Sequence, residues 1–105
     1  MSEVAKWREH KFVMAHNNAR SRRMALQHEV RARRAGVAWQ MMDLGAFYHA
    51  GLGRCGICGL QVGFDEFCID HIIPLSCGGT HTPENIQVAH IACNIRKGNR
   101  FPTNK

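Results

Sequence analysis

The tightest constraint on this chain is a pair of doublets, Cys55-x-x-Cys58 and His90-x-x-Cys93, with residues 59–89 between them. A Cys-x-x-Cys set among Gly53, Gly56 and Gly59 folds as a knuckle whose two thiolates converge, and a second doublet completes a tetrahedral zinc site. The three-residue step from His90 to Cys93 puts both on one side of a first helical turn. Residues 59–89 must therefore leave and return to the same point. The alternative for Cys55 and Cys58 is a pair of small turn residues. Cys68 and Cys77 have no doublet partner and read as a strand residue and a loop residue, with either replacing His90 as the alternative.

Such a staple suits the chain. At 105 residues with 8% aromatics it is one domain of limited core. The five cysteines are an odd number, and the start MSEVAKWREHKF has no uninterrupted apolar run, so a cytoplasmic protein with reduced thiols is expected. No stretch approaches the roughly 20 apolar residues of a membrane span.

The formal charge of +6 is unevenly placed. Residues 1–36 hold nine Lys or Arg against three Glu, which is the whole excess, and residues 37–105 are neutral overall. A polyanion, most simply nucleic acid, is the partner this predicts, a solvated helix face being the plainer reading.

Residues 2 to about 35 lack Pro and Gly and favour helix, as one piece or as two parting near Asn17-Asn18, with Gly36 as the stop. Trp7, Met14 and Val30 make only a thin apolar stripe. Arg20, Arg23, Arg31 and Arg34 recur near helical intervals, and with Arg22 and Arg33 they predict a basic arm, residues 1–36, laid on DNA. A second helix fits residues 38–50, with Trp39, Met42 and Ala46 as core. Phe64–Ile73 reads as a strand ended by Pro74, residues 76–84 as loop, Ile86–Ala89 as a second strand, and His90 to Lys97 as a helix closed by Gly98. The fold class is α+β.

A second set of residues interleaves with the doublets. Asp70 offers a hard oxygen suited to Mg²⁺ or Mn²⁺, and Asn94 a neutral one on the last helix. His71 is an imidazole able to deprotonate water, although an extended strand would turn it to the face opposite Asp70. Asn85 is placed to pin the backbone around His71. Each alone is more often structural; together they suggest phosphodiester chemistry.

The run Asp70-His71-Ile72-Ile73-Pro74-Leu75-Ser76, then Gly78-Gly79, Asn85-Ile86-Gln87 and His90-x-x-Cys93-Asn94-x-x-Lys97, closely resembles the HNH endonuclease family, in its zinc-containing type with Cys-x-x-Cys knuckles known from phage and restriction enzymes. The likeness covers residues 54–98. It implies a ββα-metal (His-Me finger) core stapled by structural zinc, within a nuclease domain over residues 37–105. By the same resemblance Asp70 and Asn94 hold a catalytic divalent ion (Mg²⁺, Mn²⁺ or another), His71 is the general base, and Asn85 orients it. Cleavage would leave 5′-phosphate and 3′-hydroxyl ends. The chain departs from the usual pattern at Asn94, where His is common, and at His90, where Cys is common, which opens a competing assignment of His90 to the catalytic ion. His81 reads as a solvated loop histidine, with contact to the scissile phosphate as the alternative.

The expected partner is double-stranded DNA, bound with weak sequence preference through phosphates, Arg96 and Lys97 joining the arm. A bacterial or phage-infected cytoplasm is the setting this implies, with room for a homodimer or a larger phage or restriction assembly. The alternative function is a non-catalytic, zinc-stapled nucleic-acid-binding module.

Overall fold

A computed structural model describes residues 18–100. Lys6, Arg8 and Lys11 of the expected arm, with Trp7 and Met14, lie outside the described residues. Helix α1 (Ala19–Ala35) starts at Asn18, whose side-chain oxygen accepts the Ser21 N–H at 2.9 Å. It stops at Gly36, where φ is 74°, and the Gly36 and Val37 N–H groups bond back to Arg33 and Ala32.

Helix α2 is shorter than the sequence suggests, Leu44–Ala50 rather than 38–50. Asp43 caps it by accepting the Ala46 N–H at 3.0 Å. Residues 38–40 are instead extended: the Gln40 N–H donates to the His81 carbonyl and the His81 N–H to the Ala38 carbonyl. Trp39 is correspondingly 41% exposed, with the Arg33 guanidinium over its ring, and is not core.

Strands β1 (Phe67–His71) and β2 (Ile86–His90) pair antiparallel, and helix α3 (Ile91–Lys97) follows β2 at once. The expected first strand loses residues 64–66, because the Gly63 carbonyl accepts both the Glu66 and Phe67 N–H groups and makes a turn there. Pairs Phe67–His90, Ile69–Val88 and His71–Ile86 share one face, and Cys68–Ala89 and Asp70–Gln87 the other. The first face packs Phe67, Ile69, Ile86 and Val88 against Met24 and Ala25 of α1 and Leu44 and Tyr48 of α2. Helix α1 therefore belongs to the core. The second face meets α3 and the knuckle, where Cys55, Ala89 and Cys93 form a separate buried cluster.

Two glycines are required by close approach. A Cβ on Gly56 would lie 2.1 Å from Gln87 Oε1, where the knuckle is laced to β2 by the Gly56 N–H on the Val88 carbonyl. A Cβ on Gly79 would lie 1.8 Å from the Ile73 carbonyl oxygen. The loop from β1 to β2, with single 3₁₀ turns at Leu75–Cys77 and Pro83–Asn85, thus folds tightly back on the end of β1.

Candidate active site and metal centre

The doublets meet. The donor atoms of Cys55, Cys58, His90 and Cys93 all lie within 4.8 Å of one another, and His90 Nδ1 is 3.4 Å from Cys58 Sγ and 3.7 Å from Cys93 Sγ. Zn–S bonds of about 2.3 Å require sulfurs spaced in this way. His90 Nε2 lies 2.9 Å from the Gln61 carbonyl, a partner that must receive its proton and so leaves Nδ1 bare for metal. Burial works against the Cys55 thiolate, but N–H groups of Cys58, His90 and Ile57 outweigh it and bring its pKa down to about 6. Cys93 moves up, by burial first and then by the neighbouring sulfurs. Crowded sulfurs that oppose one another's ionisation fit a dication. Cys68, on β1, and Cys77, exposed in the loop, are outside the cluster.

Some distance along the sheet, Asp70, His71 and Asn94 line one cavity of about 290 Å³ together with His28 and Arg31 of α1. Asp70 and His71 do leave the strand on opposite faces, yet they sit at its end, where a single cleft wraps around the edge. Asp70 is 4% exposed, held by Gln87 Nε2 at 2.9 Å on one oxygen and by Lys97 Nζ at 3.2 Å on the other. Lys97 also donates to the His71 carbonyl at 3.1 Å, so this corner already receives a positive charge. Asn94 Nδ2 donates to Cys68 Sγ, which leaves its amide oxygen as a ligand. A carboxylate and an amide oxygen form a donor set that fits a hard divalent ion.

Asn85 is buried and uses its whole amide on the loop. Its oxygen accepts the Ile73 N–H at 3.0 Å, and its nitrogen donates to the Ile73 and Thr80 carbonyls at 3.0 and 2.8 Å. Its own carbonyl accepts the Ile72 N–H. The residues just after His71 are fixed by this one side chain.

Residues 55–100 match the family model described as HNH endonuclease. That stretch is similar to the HNH endonuclease family. No curated protein matches the chain. Among the described residues no helix is long and apolar enough to cross a membrane. Within the matched residues the Cys₃His cluster and the Asp70–His71–Asn94 cleft are separate, with His90 in the first and not the second.

His81, expected in solvent, is fully buried at 0% exposure, and its Nδ1 lies 3.0 Å from His71 Nε2. His28 completes the group, with ring centres 5.1 Å from His71 and 5.6 Å from His81. Sequence reasoning missed His28, because nothing in α1's pattern distinguishes a cleft-lining position from an exposed one. Two expected DNA contacts are occupied inside the fold. Arg20 donates to the Phe67 carbonyl at 2.6 Å and lies over the Phe67 ring, while Lys97 is paired with Asp70. Arg22, Arg23, Arg31, Arg33, Arg34 and Arg96 are exposed.

Burial, then the charges of His81 and Arg31, lowers His28 to about 4; burial, then His28, His81, Arg31 and Lys97, lowers His71 to about 3. His81 is lowered as well, by burial first. Unfolded histidine titrates near 6.5, so below that pH the unfolded chain binds more protons and the fold loses stability as pH falls toward these values. For His28 alone the linkage amounts to about 2 kcal/mol between pH 7 and pH 5. Zinc-loaded His28→Gln should show a loss on acidification smaller by that amount in paired urea titrations. Equal losses in the two proteins would refute the assignment.

Proposed function

We propose that the protein is a metal-dependent DNA endonuclease, and the observation that carries this is the single cleft lined by Asp70, His71, Asn94 and Arg31. Asp70 and Asn94 would hold the divalent ion, which when bound supplies a Lewis acid for the phosphate oxygens. His71 takes a proton from water as its oxygen attacks phosphorus. The P–O3′ bond breaks, leaving a 5′-phosphate and a 3′-hydroxyl that takes its proton from solvent. An incoming phosphate offsets the Arg31 and Lys97 charges that depress His71, which raises its basicity when substrate is present. Asn85 keeps the loop after His71 in place.

Arg31 reaches the phosphate nearest the chemistry, and Arg22, Arg23, Arg33, Arg34 and Arg96 offer further backbone contacts. Such contacts carry little base readout, so binding should be strongly salt-dependent and only weakly sequence-dependent. The zinc knuckle holds hairpin and helix together and takes no part in the reaction. A single cleft cuts one strand per visit, so nicked plasmid should precede linear product.

The test is supercoiled plasmid incubated with zinc-loaded protein and Mg²⁺ or Mn²⁺. Relaxed circles that form only with the added ion support the reading. Plasmid bound yet intact with every ion would leave a zinc-stapled binding module instead.

A further inference from the structure

An imidazole can serve as a base only through a nitrogen that carries no proton, and which nitrogen that is depends on the partner of the other. In His71 one nitrogen, Nε2, is spoken for by His81 Nδ1 at 3.0 Å. The bond runs in one of two directions, and the surroundings of His81 decide between them.

His81 is wholly buried, and its Nε2 has no hydrogen-bond partner among the described residues. The same holds for one oxygen of Glu29, itself 6% exposed and next to His28 on α1. Glu29 is close enough to His81 to act on it electrostatically. A carboxylate field favours the proton on the nitrogen that otherwise has no partner, Nε2, and so strips Nδ1. A bare Nδ1 can only accept. The backbone of His81 is fixed as well, bonded on both sides to residues 38 and 40, so the ring cannot readily move off His71.

We propose that His81 is a positioning residue, whose Nδ1 accepts the Nε2–H of His71 and so holds His71 with its Nδ1 lone pair free for the proton of water. The Glu29 carboxylate favours this His81 tautomer. The proposal rests on His71 being the base, but the state of the His71–His81 pair can be read without any cleavage.

The experiment is ¹⁵N-histidine NMR of the zinc-loaded full chain, alongside cleavage rates and DNA affinity for wild type, His81→Leu and His81→Asn. Wild-type His71 is expected as the Nε2–H form. His81→Leu should show a mixture of tautomers and cut about 100-fold more slowly, with DNA affinity unchanged. Asparagine, whose side-chain oxygen lies near the place of Nδ1, should recover at least about tenfold of that loss. His71 found as the Nδ1–H form in wild type overturns the proposal, and needs no variant to fold. So does His81→Leu that keeps both the tautomer and the rate. Wild type that shows the Nε2–H form yet cuts no DNA supports the positioning and removes the nuclease reading alone.

Discussion

Cys93→Ser protein should be isolated without stoichiometric zinc and without a cooperative thermal transition. The reason lies in how little else holds the second face of the sheet. Two strands of five residues and a helix of seven are each marginal alone. On that face the buried apolar cluster consists of Cys55, Ala89 and Cys93, two of them members of the Cys₃His cluster. Zinc bound there would therefore supply folding free energy, and apparent values for small zinc modules run to about 10 kcal/mol or more at neutral pH, as large as the whole net stability of many domains. Metal analysis with circular dichroism on wild type and variant checks it. About one zinc per chain should accompany the folded wild type, and a zinc-free variant that keeps a sharp transition would contradict it.

The second large effect falls on the cleft. Asp70→Asn preserves shape and can still meet Gln87, so the zinc-loaded fold should survive, whereas the ion loses its only charged protein ligand of the proposed set. Manganese binding, followed by the loss of the free-ion paramagnetic resonance signal, should weaken beyond detection. Cleavage should fall by about 1,000-fold, in the range by which single electrostatic groups lower transition states. Undiminished manganese binding by the variant would move the ion away from Asp70.

The sequence made some of this legible and hid the rest for definite reasons. The knuckle could be read because ligand spacing is local: Cys55–Cys58 and His90–Cys93 are each one turn of chain. The helix stops Gly36 and Gly98 were equally local, whereas the N-caps Asn18 and Asp43 were not read, Asp43 having been placed inside the second helix. Strand edges were misjudged where a turn competes for the same apolar residues, at Phe64, and the second helix was overextended where residues 38–40 pair with His81 in a distant loop. Arg20 and Lys97 look like free cations in sequence, but each meets a partner 47 and 27 residues away. His28 and His81 reach His71 from two different elements, and no periodicity encodes that meeting. Asp70, His71 and Asn94 were thus visible as residue types, while their surroundings depend on α1 closing over the sheet.

Those surroundings make His71 the natural place to strike. Zinc-loaded wild type and His71→Ala should be incubated side by side with supercoiled plasmid and Mn²⁺, with DNA affinity measured on the same preparations. Wild type should nick the plasmid, and His71→Ala should bind equally well and nick at least about 100-fold more slowly. A His71→Ala protein that nicks at the wild-type rate would contradict the assignment of the base, and with it the reading of the cleft.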